Sequence, residues 1–255
     1  MGSRERTGQL RIGTSGWIYP HWRGVFYPEK LPVQHWFRFY SQSFDTVEIN
    51  NTFYRLPAPE VFVQWRKQAP PGFLYTVKVS RFLTHMKKLK DPVEPLKNIL
   101  VRSRKLASHL GPLLYQLPPR WKCDVNRLRD FIAHLPRSLS HVFEFRDVSW
   151  CNEEVRALLD ETGMAFCIHD MRGFACPIWV TGPLAYLRFH GPADPRHAGR
   201  YNLTHLNMWA DRIREFLQSG RDVYAYFNND TAGYAVLNAQ ESQQLFGIEP
   251  ALDRE

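Results

Sequence analysis

Strand-like and helix-like segments alternate along almost the whole of this chain, and that alternation admits few folds. Short apolar runs of strand character fall at 10–16, 46–52, 73–80, 113–117, 141–146, 164–170, 184–190 and 223–228. Helical patterns lie between them at 33–43, 59–68, 93–110, 124–135, 152–162 and 202–219, with a last one at 233–246. Local signals mark their ends. Pro59 can open a helix because the first turn asks no amide hydrogen of it. Asp124, Asn152 and Asn202 are cap residues, and Gly163 is a helix terminator. Only 171–183, between the sixth and seventh strands, lacks a helical pattern. Eight strands joined by crossovers predict a parallel α/β fold, and 255 residues is the size of one (β/α)8 barrel. The expectation is a single-domain TIM barrel over 10–247, with a disordered N-terminal tail at 1–9 and a C-terminal tail at 248–255.

Strand side chains point alternately to two faces. In a barrel one face meets the helices and the other points inward, where polar groups are tolerated at the open C-terminal end. The chain follows this rule. Val47 and Ile49 share one parity, Glu48 and Asn50 the other. Val77 and Val79 oppose Lys78, and Leu113, Tyr115 and Leu117 oppose Leu114 and Gln116. Phe143 and Phe145 oppose Glu144 and Arg146; Leu187 and Phe189 oppose Arg188 and His190. Ala225 and Phe227 oppose Tyr226 and Asn228, while the sixth strand leaves His169 and Asp170 open. Burying an unpaired ion is costly. A ring of them therefore predicts a site, although ion pairs can also be buried purely as structure. Three acids (Glu48, Glu144, Asp170) face three bases (Lys78, Arg146, Arg188), with His190 as a switchable group. That balance suits an anionic substrate with acid/base chemistry better than a metal cage, since the cations would compete with the ion.

The charges narrow the partners less. An excess of 33 Lys and Arg over 25 Asp and Glu gives +8, which permits phosphorylated molecules or nucleic acid. The densest basic run, 81–90, holds Arg81, Lys87, Lys88 and Lys90, and a solvated face explains it equally well. Cys123, Cys151, Cys167 and Cys176 form no C-x-x-C pair, which speaks against a zinc ribbon or a thioredoxin-type site. Scattered thiols, a polar N-terminus and no long apolar run predict a cytoplasmic protein without a membrane span. No P-loop, G-x-G-x-x-G or H-E-x-x-H occurs. His85, His109, His134 and His205 read as surface histidines, and Cys167 as packing.

Gly13-Thr14-Ser15-Gly16-Trp17, Trp22-Arg23-Gly24-Val25-Phe26-Tyr27-Pro28 and the run from Thr46 to Tyr54 resemble the DUF72 (YecE-like) family. So do the segment from Gly111 to Pro119, Glu144-Phe145-Arg146, Arg188-Phe189-His190-Gly191, Tyr226-Phe227-Asn228-Asn229-Asp230 and Gly233-Tyr234-Ala235. The matches run from about 10 to 239, and their combination is specific where no single one is. The resemblance implies a (β/α)8 barrel and no settled reaction. A suggested kinship with the barrels of apurinic endonucleases and xylose isomerases is an analogy of fold. It would make Glu48, Glu144, Asp170 and His190 metal ligands, against which Lys78, Arg146 and Arg188 stand in the same ring.

The functional expectation is an enzyme, a hydrolase, lyase or isomerase, acting on a small anionic or phosphorylated molecule. Glu48, Glu144, Lys78 and His190 would be catalytic, with Lys78 either an electrostatic stabiliser or a Schiff-base nucleophile. Arg146 and Arg188 would clamp the anion. Asn50, Gln116, Asp170 and Asn228 would orient it, with Trp17 and Tyr27 contributing from the first loop. No metal ligand and no cofactor is assigned, though a divalent metal is compatible with the acids. One alternative is a nucleic-acid phosphodiesterase, with Trp17, Tyr19, Trp22, Phe26 and Tyr27 stacking on bases. The same rings could instead pack on one another over the barrel mouth. A non-catalytic binding barrel is the third reading. Oligomeric state is not encoded legibly.

Overall fold

A computed structural model describes residues 7–193 and 197–249. Eight parallel strands form one sheet that curls into a nearly closed barrel, in the order β1-β8-β7-β6-β5-β4-β3-β2. They are β1 (Leu10–Thr14), β2 (Thr46–Ile49), β3 (Leu74–Lys78), β4 (Leu110–Gln116), β5 (His141–Glu144), β6 (Ala165–Asp170), β7 (Leu184–Phe189) and β8 (Asp222–Phe227). The helices are α1 (Trp36–Ser43), the single turn α2 (Asn51–Tyr54), α3 (Pro59–Gln68), α4 (Val93–Ser103), α5 (Val125–Ile132), α6 (Glu153–Thr162), α7 (Leu203–Gln218) and α8 (Tyr234–Gln244). This is the (β/α)8 barrel that the alternation predicts. As expected, 171–183 contains no helix.

The local signals act as chemistry requires. Asp124, Asn152 and Asn202 each accept a backbone N–H from the third residue on, satisfying a donor that the helix leaves open. Gly163 closes α6 in the left-handed conformation (φ 71°). Several boundaries differ from the sequence reading by a few residues, and two of them have a visible cause. β2 stops at Ile49, because Asn50 turns helical and Thr52 Oγ1 donates to Lys78 O at 2.6 Å, tying α2 to the end of β3. β4 begins at Leu110, after a tight 3-10 turn over 104–109 that ends α4 early. Residues 1–6 and 250–255 of the expected tails lie outside the described residues. Gly8 and Gln9 already donate to Leu217 O and Asp222 Oδ1, both at 2.9 Å.

The seam between β1 and β2 is closed by side chains. Tyr40 OH of α1 donates to Thr46 O at 3.0 Å and accepts from Thr14 N at 3.1 Å, bridging the two strands. Arg11 reaches Asp45 at 2.8 Å across the same gap. Gly13 allows this approach, since a Cβ there would lie 2.4 Å from Thr46 O.

Two apolar layers result. Outward residues such as Val47, Val77, Phe143, Leu187 and Phe227 pack beneath the helices. Inside the barrel, Leu114, Val142, Ala165, Cys167, Leu184, Tyr186 and Tyr226 form a separate cluster. The barrel is therefore a filled core whose polar chemistry is pushed to one end. Tyr226 OH satisfies itself within that core on Thr46 Oγ1 (2.6 Å) and Thr76 Oγ1 (2.9 Å). Among the described residues no helix is long and apolar enough to cross a membrane.

Candidate active site

Parity brings the expected ring together at the C-terminal ends of the strands. Its centre is Arg188, which is fully buried at the end of β7. One terminal nitrogen donates to Glu144 Oε2 of β5 at 2.6 Å, the other to Glu48 Oε1 of β2 at 2.7 Å. Ser15 Oγ and Tyr186 OH complete Glu48, each at 2.7 Å. Burial would push the Glu144 carboxyl up, but Arg146 and Arg188 outweigh it and hold the group well below the usual carboxylate range. The chain thus spans its barrel with a dry carboxylate–guanidinium–carboxylate strut. Within the strut, Nε of Arg188 is left without a partner among the described residues.

Arg146 is placed differently. It follows β5, and Nε donates to Glu144 Oε1. Its other contacts are weak acceptors: Nη1 lies 2.8 Å from Met171 Sδ, and Nη2 lies 2.9 Å from His190 Nε2. His190 is buried, and desolvation, then Arg146, push it well below its ordinary value, so the imidazole is neutral. Its Nδ1 faces the Asn228 amide at 3.0 Å, and the same amide lies 3.2 Å from His197 Nδ1.

Lys78, at the end of β3, is 8% exposed. Among the described residues its ammonium nitrogen makes no hydrogen bond; it sits 4.4 Å from the centre of the Phe53 ring. Burial, then the Arg188 charge, lower its pKa to about 7, against the opposing pull of Glu144 and Glu48. His85 packs edge-on against that same ring at 5.0 Å and is lowered to about 4, chiefly by burial and next by Lys78. It lies on a π-helical turn, Phe82–Met86, three residues after β3. Such turns are rare and recur at functional sites. Its placement corrects the expectation of a surface histidine. The available signal was its position at the exit of an inward-pointing strand.

Other expected residues fall elsewhere. Asp170 points outward and accepts from Trp209 Nε1 of α7 at 3.1 Å, so His169 is the inward group of β6. Trp17 packs edge-on against Phe37 and Trp65 under the helices. Tyr27 stacks on Trp36 at 4.6 Å and donates to Trp17 O at 2.6 Å. Both are buried, because a loop this rich in rings gains more by covering itself than by facing water. Trp22 is likewise buried and donates to Asp230 Oδ1 at 2.7 Å, binding the first loop to the last. Gln116 and Asn50 end β4 and follow β2; Oδ1 of Asn50 is buried without a partner among the described residues. Tyr186 and Ser15 escaped the sequence reading, which left His169 undecided against Asp170. Tyr186 and Ser15 follow from period two, two residues from Arg188 and Gly13.

Glu144, His169 and His190 each offer a ligand atom within 4.8 Å of the others. His169 Nε2 donates to Phe145 O at 3.0 Å, which leaves Nδ1 as a bare acceptor. These three could hold a divalent ion. The Arg146 guanidinium already contacts Glu144 Oε1 and His190 Nε2, so an ion would have to displace it.

Residues 11–254 match the family model described as "Protein of unknown function DUF72". The chain is similar to the UPF0759 protein YunF of Bacillus subtilis, with 25% identity over 94% of this chain and 95% of that protein. It is 30% identical to the UPF0759 protein YecE of Escherichia coli over 54% of this chain and 48% of YecE. The crystal structure of a DUF72 family protein from Thermotoga maritima superposes with a TM-score of 0.83 at 29% identity, covering 94% of this chain and 99% of that one. A DUF72 family protein from Enterococcus faecalis shares the fold, with a TM-score of 0.78 at 19% identity over 94% and 96% of the two chains.

Proposed function

This chain belongs to the DUF72 family of proteins of unknown function, and we propose that it is an enzyme performing acid/base chemistry on a small anionic or phosphorylated molecule at the C-terminal ends of its strands. The observation that carries this reading is the unequal pairing of two arginines. Both terminal nitrogens of Arg188 are taken by carboxylates in a dry layer. Arg146 lies above, with a side chain 6% exposed, and its terminal nitrogens rest on a thioether and a neutral imidazole. A phosphate or carboxylate oxygen is a far better partner for those nitrogens. Arg146 is then the anion-binding residue and Arg188 the strut that fixes the two acids. Lys78 changes protonation state at small energetic cost near pH 7 and supplies proton transfer, while the neutral His190, oriented by Asn228, holds the substrate by hydrogen bonding.

Titration calorimetry with inorganic phosphate at pH 7 tests the assignment. Arg146→Gln is expected to weaken binding by at least about tenfold, the worth of one charge-assisted pair. Equal binding by Arg146→Gln and the unaltered protein would remove the reading.

A nucleic-acid substrate is the second reading. It is supported by Arg81, Lys88 and Lys90, which are exposed on the loop leaving β3. Trp17, Trp22 and Tyr27 of the first loop are buried, which leaves only the half-buried Tyr19 and Phe26 as rings for stacking. A steep fall of oligonucleotide affinity with salt, lost in the triple Ala variant of those three residues, would favour it.

A further inference from the structure

We propose that Lys78 is a covalent catalyst, its side-chain amine condensing with an aldehyde or ketone carbonyl of the anionic substrate. This deepens the function proposed above and rests on it for the anion, but concerns a different residue and a different bond.

The geometry sets Lys78 apart from every other charged group in the ring. Glu48, Glu144, Arg146 and Arg188 are locked to one another by hydrogen bonds of the barrel mouth. Lys78 Nζ points from the end of β3 onto the face of Phe53, with no acceptor among the described residues and with part of its surface open. A lysine that serves only as a structural counter-ion takes a carboxylate; Glu48 and Glu144 are close enough to influence this one, yet both are filled by Arg188. A ring face favours the ammonium over the neutral amine less than a carboxylate would, so the nitrogen gives up its proton more readily here than in an ion pair. The segment that carries the residue is also unusual. Three residues after β3 the chain enters the π-helical turn at 82–86, and the loop beyond it puts Lys88, Leu89 and Asp91 at positive φ, a conformation that non-glycine residues adopt at some cost.

The step balances without a co-reactant. The Nζ lone pair attacks the carbonyl carbon and forms the C–N bond, while the C=O π pair moves to oxygen. That oxygen takes the proton released by nitrogen. A second proton, returned by solvent and matching the one the ammonium gave up, lets it leave as water, and the nitrogen lone pair closes the C=N bond of an iminium ion. No electron is gained or lost. The iminium then withdraws electrons from the adjacent carbon, which is the service an isomerase or lyase requires.

The groups facing Lys78 fix how it should respond to pH. Arg188 on β7 and Arg146 after β5 favour the neutral amine; Glu144 on β5 and Glu48 on β2 favour the ammonium; His85 after β3 is neutral. With a pKa of about 7, half the amine is neutral at pH 7, against about one part in a few thousand for an exposed lysine.

The test is reductive trapping. The full-length protein is incubated with glyoxylate and sodium cyanoborohydride, and carboxymethylated lysines are mapped by peptide mass spectrometry from pH 5 to 10. Lys78 is expected to be labelled at least about tenfold faster than Lys67 or Lys97 at pH 7, with a rate that levels off just above pH 7. Inorganic phosphate should slow that labelling in the unaltered protein. Labelling of Lys78 no faster than of Lys67 and Lys97, or a rate still climbing to pH 10, overturns the proposal. If trapping fails while phosphate binding still depends on Arg146, the covalent step alone is lost. If Lys78 is labelled but Arg146→Gln leaves phosphate binding unchanged, the anion assignment is lost instead.

Discussion

Arg188 Nη1 donates to Glu144 Oε2 at 2.6 Å, and neither side chain has any exposure to solvent. A pair this dry is held by mutual need. Each ion would pay a desolvation cost of several kcal/mol if the other were absent. Arg188→Met is therefore expected to leave Glu48 buried without a counter-ion and Glu144 with Arg146 alone, and to cost about 3–5 kcal/mol at pH 7. Urea denaturation measures this directly. A loss below about 1 kcal/mol would mean that the two acids find other partners or protonate freely.

Acid should destabilise the fold before Glu144 titrates. His169 and His190 are almost fully buried, and burial first of all lowers both, His169 to about 4. Unfolded, each returns to about 6.5. Their folded values are depressed, so the stability they contribute is complete above pH 6.5 and is lost as pH falls toward 4. The expected slope is about 1.4 kcal/mol per pH unit for each histidine. Glu144, also depressed, adds its loss only below the ordinary carboxylate value of 4.5. His169→Asn should make the profile between pH 6.5 and 4 shallower by one histidine. An unchanged slope in urea titrations at pH 7, 6 and 5 would contradict the neutral assignment.

Lys78 should behave as a residue kept at a cost to stability. Its folded pKa is about 7, and burial is the main cause. Between pH 7 and 10.5 the unfolded chain holds more protons, so stability rises with pH through that window. Lys78→Met is expected to be more stable than the unaltered protein at pH 6 by about 2 kcal/mol, and to lack the rise above pH 7. Thermal and urea midpoints at pH 6 and 9 check both parts. A destabilised variant at pH 6 would show that the ammonium is well solvated or paired.

The aromatic first loop should matter for folding and not for binding. Tyr27→Phe removes the hydroxyl that donates to Trp17 O and leaves that carbonyl buried and unsatisfied. The expected loss is about 1–2 kcal/mol in denaturation, with phosphate affinity unchanged. A tenfold drop in phosphate affinity would return the loop to the site.

Much of this arrangement could be read in the chain before any tertiary contact was known. Period two placed Glu48, Lys78, Gln116, Glu144, Arg188 and Asn228 on the inward face, because successive side chains on a strand must alternate. Caps at Asp124, Asn152 and Asn202 marked helix starts, since their side chains serve their own backbone three residues on. Period two failed where the strand ended. On β6 it could not choose between His169 and Asp170, whose faces depend on where the next element begins. It also gave no reason to separate Trp17 and Tyr27 from a ligand-facing loop. Their burial depends on Phe37, Trp65 and Trp36, which belong to helices that pack there only after the barrel closes.

The sequence by itself determined that a ring of charge ends this barrel, and which residues compose it apart from Asp170, whose place on β6 falls to His169. Its cause is local: strand alternation and apolar outer faces leave the ionisable side chains nowhere else to point. Only the tertiary structure decided the pairing within the ring. Arg146 and Arg188 look alike in sequence, both inward and both at a strand end. Barrel closure sets Glu48 and Glu144 on either side of Arg188 and sinks all three, while Arg146 stays at the mouth with softer partners. Electrostatic roles depend on distance and burial across the barrel, and neither is a property of neighbouring residues along the chain.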